Sequence, residues 1–303
     1  MYLKLCHSTK VRRRCSTNDR NSTNFKTLEV KHILLFFLLL VGCMVYSQRK
    51  PKIKGNRNVI EVREALAPFN AIQLDDDLDI HLQAAATGEY IIEADDNLID
   101  ILKFKVENET LFISSYYKVT SKKRLNITVN FNELFLINAN EGNIVVDNRF
   151  STEFLEVNTR GTGRVEIDVD ADAMQITMND DSRGNFKVDS DTLNIRLAEK
   201  ADLRLFGVME STVLDMQRNS KADLEGFTNV FQFHLLDGSD LKAKRLEANS
   251  VEAILEGSSS AEVLSTATVD LNSKGSSKTY VYGDSKINLQ EFLDTSELYR
   301  RKN

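Results

Sequence analysis

After residue 48 the sequence contains no cysteine, because Cys6, Cys15 and Cys43 are the only three in the chain. The missing thiols exclude a disulfide framework and a thiolate metal site from the main body of the protein. The same part has only two histidines, His81 and His234, which are too few for a histidine-rich zinc site or for the usual catalytic triads. We therefore predict no metal, no cofactor and no catalytic residues.

Proline, tryptophan and basic residues are also scarce. The 303 residues include two prolines and no tryptophan, and long helical patterns are hard to find. Of the 39 Lys and Arg residues, eight precede residue 49, which leaves 31 against 43 Asp and Glu and a net charge of −12 for residues 49–303. A body this acidic argues against nucleic-acid binding, because phosphates require a basic surface.

Long apolar runs are missing except at Ile33–Val41, which has Lys31 and His32 before it and small residues after it. A basic start, a short apolar core and small residues near a cleavage point are typical of a secretory signal peptide. A membrane-spanning helix needs about 20 apolar residues, so this run is short for a span. We predict that residues 1–48 are an N-terminal extension and signal peptide, and that the protein is exported to the periplasm, the outer-membrane surface or the extracellular space.

The sequence leaves the processing of this leader open. Cleavage after Ser47 is the favoured reading, but Leu40-Val41-Gly42-Cys43 resembles a bacterial lipobox, which would place a lipid on Cys43. The start is also open between Met1 and Val30, because a start at Val30 would put the basic residues directly before the apolar core. We expect contact with a membrane only through the leader or through a lipid on Cys43.

Residues 49–134 predict a linker followed by strands. Residues 49–68 are mostly polar and are typical of a linker. A helical turn fits residues 97–104, and a hairpin with its turn at Asn108-Glu109 comes next. Alternation of apolar and polar residues, the pattern of a strand with one buried face, begins at Ile72, Leu74, Leu78, Ile80 and Leu82. We predict a strand-rich N-terminal entry region.

The sharpest charge cluster of this region consists of Asp75, Asp76, Asp77 and Asp79. A calcium site would need oxygens that converge from a turning loop, whereas these residues straddle an alternating strand. We interpret them as a solvated strand face or as protection of a sheet edge against aggregation. Asp76 has the parity opposite to the other three, and we expect a bulge or bend to release it to solvent.

Residues 135–288 repeat a short alternating run followed by a small polar corner. The mean step is about 19 residues, which is too short for a propeller blade of about 40. Coils of β-strand stacked at about 4.8 Å fit the pattern, with apolar residues inward and small residues at the corners. The predicted corners are Glu141-Gly142-Asn143, Gly161-Thr162-Gly163, Asp181-Ser182-Arg183-Gly184, Lys200-Ala201-Asp202, Lys221-Ala222-Asp223, Gly238-Ser239-Asp240, Ser259-Ser260-Ala261 and Gly275-Ser276-Ser277.

Several segments, taken in order, resemble the putative auto-transporter adhesin head domain, also called the GIN domain. They are Phe69-Asn-Ala-Ile-Gln-Leu, Tyr90-Ile-Ile-Glu-Ala-Asp-Asp-Asn-Leu, Val106-Glu-Asn-Glu-Thr-Leu-Phe-Ile-Ser and the ending Thr279-Tyr-Val-Tyr-Gly-Asp-Ser-Lys-Ile. The resemblance covers residues 69–288 and leaves 289–303 as a C-terminal tail or cap. It implies a secreted or surface protein with an all-β, right-handed parallel β-helix-like solenoid and no established catalytic residues. Ser285 stands where the family's usual Tyr-x-Gly-x-Pro ending has proline.

From this resemblance we predict a binding or adhesion module of the cell envelope without catalysis, whose unknown surface ligand is a glycan or a protein. Stacked strands offer long faces that aromatic side chains could line. The phenylalanines among them are expected to be core, and the tyrosines could instead cap the end of the solenoid. The aromatic candidates are Phe227, Phe231, Phe233, Tyr280 and Tyr282.

Two other functions stay open, a structural envelope protein and a carbohydrate-active enzyme of the β-helix type, either a polysaccharide lyase or a hydrolase. Glycoside hydrolysis needs two carboxylates placed across a sugar. His234 has the parity opposite to its apolar neighbours and is expected at the surface or in a groove. The candidate acids are numerous, which weakens each one: Asp168, Asp170, Asp172, Asp180, Asp181, Asp189, Asp191, Asp202, Asp223 and Asp240.

Overall fold

A computed structural model describes residues 50–302 of the chain. The proposed cleavage after Ser47, the lipidation of Cys43 and the alternative start at Val30 lie outside the described residues. A search of these residues for a helix with the length and hydropathy of a membrane span finds none.

The described part is almost entirely β-structure, as the sequence predicts. One short helix, α1, spans Asp96–Ile99 within these residues. The strands in chain order are β1 (Lys52–Lys54), β2 (Val59–Ala65), β3 (Ala71–Leu74), β4 (Asp79–Ala84), β5 (Glu89–Asp95), β6 (Leu102–Glu107), β7 (Thr110–Ser115), β8 (Lys118–Ser121), β9 (Leu125–Phe131), β10 (Leu136–Ala139), β11 (Asn143–Val146), β12 (Phe150–Thr159), β13 (Arg164–Met178), β14 (Arg183–Leu197), β15 (Asp202–Met216), β16 (Lys221–Leu235), β17 (Asp240–Leu255), β18 (Ser260–Ser273), β19 (Lys278–Tyr282), β20 (Lys286–Phe292) and β21 (Glu297–Arg301).

The entry region comprises β1 to β9 and mixes antiparallel with parallel pairing. Its antiparallel pairs are β2 with β5, β5 with β9, and the predicted hairpin β6 with β7. Strands β3 and β4 instead pair in parallel with β10 and β11 of the repeat region. The entry region therefore covers the first edge of the solenoid with paired strands.

One buried carboxylate joins three segments of the entry region. The Asp95 side chain is fully buried. It accepts hydrogen bonds from the backbone amides of Arg57, Lys123 and Arg124 at 3.2, 3.0 and 3.3 Å. These bonds, chiefly that from Lys123, hold the pKa of Asp95 below its usual value. An added Cβ at Gly55 would lie 1.9 Å from the Asp95 Oδ2 atom, so Gly55 is required for this contact.

The linker predicted at residues 49–68 is wrong in part, because β1 and β2 lie within it. Strand β1 pairs in parallel with β8, and β2 pairs with β5. The polar composition arises because both strands lie at a sheet surface, where most of their side chains are exposed.

Each rung of the solenoid from β13 to β17 is one long strand that bends once. In β13 a first arm, Arg164–Ala171, pairs with the next rung, and a second arm, Ala173–Met178, does the same. Asp172, between the arms, has no partner in the register and marks the bend. Paired residues of successive rungs, such as Arg164 and Arg183, are 19 positions apart, which confirms the predicted step.

A residue in the left-handed backbone conformation ends each rung. These residues have φ between 53° and 81° and recur at Gly161, Asp180, Glu199, Arg218, Asp237, Gly257, Gly275 and Asp294. A serine follows two positions later in most rungs. In four rungs its Oγ donates a hydrogen bond to the carbonyl three residues back, at Ser239, Ser259, Ser277 and Ser296.

Several predicted corners are displaced from the real turns. Lys221-Ala222-Asp223 lies inside β16, and Asp181-Ser182-Arg183-Gly184 runs into β14. The turns before these strands place Arg218 and Asp180 in the left-handed conformation. A charged residue with positive φ gives none of the glycine signal on which turn prediction depends.

Inward side chains form columns that run through the rungs and make one continuous core. The inward parity changes at the bend, from Val165, Ile167 and Val169 on the first arm to Met174 and Ile176 on the second. One second-arm column is formed by residues that are in register and fully or nearly buried: Ile176, Ile195, Leu214, Phe233, Ala253 and Leu271. The predicted inward stacking of apolar residues is thus present.

Residues 289–303 were expected to form a tail or cap, but most of them belong to a further rung. Strand β20 pairs with β18, and β21 pairs with β19, both in parallel. The outward faces of these strands are largely exposed, which explains why their sequence looks like a polar tail.

Candidate functional site

The outward side chains on the first arms of β13 to β17 form a flat grid, which we call the first-arm face. Alternate residues of a strand point outward, about 6.7 Å apart, and their partners on the next rung follow at about 4.8 Å. The column nearest the turns is mixed, with Arg164, Arg183 and Lys221 beside Asp202 and Asp240, whereas the bend-side ends of β13 and β14 are acidic. On β13, for example, Arg164 stands near the turn and Asp170 near the bend.

Three apolar side chains interrupt this charged grid. Phe206, Val208 and Phe227 are 56%, 50% and 41% exposed. Phe206 and Val208 are alternate residues of β15, and Val208 is in register with Phe227 of β16. We call these three residues the apolar patch. They occupy outward positions that charged residues hold on neighbouring rungs, so burial in the core does not explain them.

A glycine pair lies directly under the apolar patch. Gly207 and Gly226 are in register and fill inward positions between the outward residues of the patch. A Cβ on Gly226 would lie 1.9 Å from the carbonyl oxygen of Gly207, and one on Gly207 would lie 2.4 Å from the carbonyl oxygen of Val188. Gly226 also has φ of +115°, a conformation that other residues rarely adopt. Only glycine therefore allows the close backbone approach that sets the patch.

An acidic groove of about 270 Å³ adjoins the patch at the bend. Val208 and Phe227 line one side of it. The remaining wall carries exposed carboxylates from three successive rungs: Asp170, Asp172, Asp189, Asp191 and Glu210. The groove thus places hydrogen-bond acceptors beside an exposed aromatic ring, and this pairing is what the site offers chemically.

Arg149 partly neutralises the acidic groove. Its guanidinium lies 3.5 Å from Asp170 and 3.3 Å from Asp189, and its Nε lies 3.9 Å from Asp168. All four side chains are well exposed, so these salt bridges contribute little to stability. No group of three or more His, Cys, Asp or Glu side chains within residues 50–302 is arranged to hold a metal ion.

The structure separates the aromatic residues that the sequence singled out. Phe231 and Phe233 lie in the core, at 1% and 3% exposure, as expected for phenylalanine. Phe227 is instead exposed, so the expectation that it lies in the core is wrong. It occupies an outward position of β16, directly after the inward Gly226. Tyr280 stacks on Tyr299 at 5.0 Å between ring centroids, far along the solenoid from the patch. Tyr282 is half-buried on the same strand.

The candidate acids are only partly brought together. Four of them, Asp170, Asp172, Asp189 and Asp191, line the acidic groove. Asp180 and Asp181 lie in a turn, and the others are spread along the first-arm face: Asp168, Asp202, Asp223 and Asp240. Sequence reasoning did not find Arg149, which lies outside the strands, nor Phe206 and Val208, although their parity is opposite to that of the buried Leu203 and Leu205.

The two histidines lie away from the acidic groove. His81 Nδ1 is 2.8 Å from Asp147 Oδ1 in the entry region. Partial burial acts to raise the pKa of Asp147, but hydrogen bonds from His81 and Gln83 hold it below its usual value. His234 is half-buried and lines a cavity of about 260 Å³ on the second arms, which agrees with its expected place at the surface or in a groove.

The aspartate cluster of the entry region is a set of separate contacts. Asp75, Asp77 and Asp79 are exposed, and Asp77 lies 3.6 Å from Lys118. The expected release of Asp76 to solvent is wrong. Asp76 is 8% exposed, its carboxylate accepts a 2.7 Å hydrogen bond from the Ser115 amide, and it pairs with Lys50. The hydrogen bond and the ion pair offset the energetic cost of burying the Asp76 charge.

Comparison with known families gives two matches. The family model described as "Putative auto-transporter adhesin, head GIN domain" matches residues 68–186 and 181–285, which together span more than half of the chain. No curated protein matches the sequence.

Solved bacterial structures share the fold. A putative adhesin from Parabacteroides merdae superimposes with a TM-score of 0.64 at 15% identity, covering 83% of this chain and 99% of that one. A protein from Parabacteroides distasonis described as a putative lipid binding protein gives 0.58 at 20% identity, covering 82% and 96%. A putative adhesin from the same organism gives 0.58 at 16% identity, covering 82% and 99%. At these identities the similarity shows the fold alone.

Proposed function

Because the chain belongs to the putative auto-transporter adhesin, head GIN domain family, we propose that it is an exported binding module without catalysis that engages a glycan through the first-arm face. The family is one of adhesin-like proteins, which supports a location at the cell surface. The single observation that carries the proposal is the acidic groove beside the apolar patch.

The chemistry of the groove suits a sugar. The faces of sugar rings carry C–H groups that pack against an aromatic ring, as Phe227 presents here, and hydroxyl groups donate to carboxylates. In the groove, carboxylate acceptors from three rungs lie beside the Phe227 ring, and they are separated by the spacing of stacked strands. A chain of sugars lying across the rungs would meet an acceptor at each step.

A glycan suits the face better than a protein partner does. A stable protein interface buries about 800 Å² on each side, with a core depleted of charged residues. The apolar patch consists of only three side chains. Charged residues adjoin it in the register of the neighbouring strands, including Lys187, Glu225 and Glu247. Such a surface is small for a protein hot spot but sufficient for one or two sugar rings.

The absence of catalysis is part of the proposal. A general acid in glycoside hydrolysis needs surroundings that raise its pKa, usually burial beside apolar groups. The carboxylates of the acidic groove are all exposed and lie on an open face. Their arrangement therefore favours hydrogen bonding to hydroxyl groups over proton transfer.

Export is supported by the leader and by the adhesin-like family. The two processing routes differ in outcome, since cleavage after Ser47 frees the protein and lipidation of Cys43 anchors it to a membrane. Mass spectrometry of the mature N-terminus separates them. A start at Gln48 agrees with simple cleavage, and a lipid-modified Cys43 contradicts it.

A glycan array tests the binding function. We expect the wild-type protein to bind a subset of oligosaccharides, and the double variant Phe206→Ala/Phe227→Ala to lose at least tenfold in affinity. Stacking of a nucleic-acid base on an aromatic side chain contributes about 1–3 kcal/mol, and we expect a sugar ring on two phenylalanines to reach the lower part of that range. Phe112→Ala is the matched control, because Phe112 is 36% exposed on the entry region.

Two results would contradict this function. Retained binding by the double variant would show that the glycan binds at a site other than the apolar patch. Release of reducing ends from any bound polysaccharide, measured on the same preparations, would establish an enzyme in place of a binding module.

A further inference from the structure

A second cavity lies on the first-arm face, at the end opposite the acidic groove. Its volume is about 300 Å³, and Arg164, Arg183 and Arg204 are among the residues that line it. Glu166 and Asp202 are the acidic residues of the lining. Three positive charges against two negative charges leave this cavity cationic, on a body whose net charge is strongly negative.

The register brings the three arginines together from consecutive rungs. Arg164 of β13 is directly in register with Arg183 of β14. Asp202 of β15 follows Arg183 in the same column, and Arg204 lies two residues further along β15. Like charges that face each other across adjacent strands destabilise a sheet, so the Arg164–Arg183 pair has an energetic cost unless an anion offsets it.

No carboxylate of the described chain offsets this charge by direct pairing. Among residues 50–302, no salt bridge or side-chain hydrogen bond involves Arg164, Arg183 or Arg204. Other arginines on or beside this face are well paired. Arg149 reaches three aspartates, and Arg245 pairs with Asp223 and Glu225. The contrast shows that the face supplies carboxylates to some arginines and leaves this group available to an outside anion.

The basic cavity is continuous with the apolar patch. Arg204 and Phe206 are alternate outward residues of β15, so their side chains stand about 6.7 Å apart along one strand. A sugar ring that rests on Phe206 can therefore direct an acidic substituent toward Arg204. The planar guanidinium group binds carboxylate and sulfate groups with two parallel hydrogen bonds.

We propose that the cavity formed by Arg164, Arg183 and Arg204 binds the carboxylate or sulfate group of an acidic glycan. This inference rests on the proposed glycan-binding function and narrows it. The neutral part of the ligand lies on the apolar patch, its hydroxyl groups meet the acidic groove, and its anionic group lies at the opposite end of the face. The polarity of the face would then fix the orientation of the ligand.

The test uses matched pairs of oligosaccharides on an array, followed by calorimetry. Each acidic member, such as trigalacturonate or a sulfated trisaccharide, is paired with its methyl ester or unsulfated form. We expect wild-type protein to bind the preferred acidic member at least about tenfold more tightly than its neutral partner, since a hydrogen-bonded charged group contributes about 1.5–3 kcal/mol. The preference should weaken as salt concentration rises.

The variant Arg183→Gln/Arg204→Gln should erase this preference while it retains affinity for the neutral member. Arg196→Gln is the matched control, because Arg196 is exposed on the second arm of β14, away from this face. Unchanged circular dichroism is expected for all three substitutions, since each replaces an exposed side chain.

Four results would overturn the inference. Equal affinity of wild-type protein for every acidic and neutral pair would show that the arginines are merely solvated, and the binding function would stand. A preserved preference in the double variant would place the anion elsewhere. Inorganic sulfate that binds as tightly as the sulfated sugar would show a site for free anions. Absence of binding to any glycan, neutral or acidic, would remove the proposed function as well.

Discussion

The entry region and the solenoid are held together in different ways. In the solenoid, one pairing register repeats from rung to rung, and buried residues of similar kind stack in columns. In the entry region each contact occurs once, as with the three amides that converge on Asp95 or the stack of Tyr90 on Phe104 at 4.3 Å. Repetition spreads stability over many equivalent neighbours, whereas single contacts concentrate it.

This difference predicts where damage spreads. In a stack of rungs each rung contacts only its neighbours, so a defect should weaken the rungs on both sides. In the entry region, loss of one contact should release the segments that meet there and leave distant rungs protected. The following substitutions test the distinction, from the largest expected effect to the smallest.

Gly226→Val should have the largest effect. The new Cβ would collide with the backbone of the preceding rung, 1.9 Å from the Gly207 carbonyl oxygen, at a φ of +115°. Backbone strain and overpacking together should cost about 3 kcal/mol or more. Urea unfolding followed by circular dichroism measures the loss. Val208→Ala, a small change on the outward side of the neighbouring rung, is the control, and a loss below 1 kcal/mol for Gly226→Val would contradict the close approach.

Ile195→Ala should come next. Ile195 is 1% exposed in a second-arm column, in register with Ile176 and Leu214. Truncation of a buried isoleucine costs about 2–5 kcal/mol, and hydrogen exchange should accelerate in both neighbouring rungs. Asn194→Ala, on the exposed face of the same arm, should change stability by less than about 0.5 kcal/mol. Faster exchange confined to β14 would argue against coupling between rungs.

Asp95→Asn should affect the entry region selectively. An amide cannot replace a carboxylate that accepts three backbone hydrogen bonds, because its NH₂ group is a donor. Hydrogen exchange should lose most of its protection at β2, β5 and the segment around Lys123, while β14 to β17 stay protected. Uniform loss across the chain would show that the two regions unfold as one unit.

Asp95 should also make the stability of the entry region depend on pH in the acid range. The pKa of Asp95 is lower in the folded protein, so its contribution is present above the unfolded value of about 3.9 and is lost as pH falls through the folded pKa. The entry region should therefore loosen below about pH 4, before the solenoid. In Asp95→Asn this part of the acid sensitivity should disappear; a wild-type acid transition that the variant reproduces unchanged would assign it to other groups.

Tyr90→Phe should have the smallest effect. Burial first, and then the hydrogen bond with Glu64, raise the pKa of Tyr90 to about 12. A raised pKa favours folding below the unfolded value of about 10, and this contribution is lost between about pH 10 and pH 12. The variant should lose that part of the alkaline dependence in thermal melts and change little at pH 7. An identical alkaline profile would show that Tyr90 ionises as freely as in the unfolded chain.

The sequence predicted the repeated parts best. A step of 19 residues and the alternation of apolar residues follow directly from stacking, since the same geometry is imposed on every rung. Local signals also succeeded where chemistry was local, as at the hairpin turn of Asn108 and Glu109, both of which have positive φ.

Other features depend on partners far apart in sequence and could not be predicted. Asp95 is 28 residues from Lys123, and nothing near either residue indicates their contact. The close approach of Gly207 and Gly226 appears only when two rungs are aligned. The candidate site was only partly found for the same reason, since Phe206, Arg204 and the groove acids form a surface only after the register is known.

The left-handed residue that recurs at each turn marks the end of one rung, and each rung adds one strand spacing to the length of the solenoid. Duplication of one complete rung would move everything beyond it by one strand spacing, about 4.8 Å, and leave every side chain on its original face. A copy placed between two subsites would lengthen their separation by that increment without altering either one. Ligand size could thus be adjusted in whole strand steps, independently of ligand chemistry.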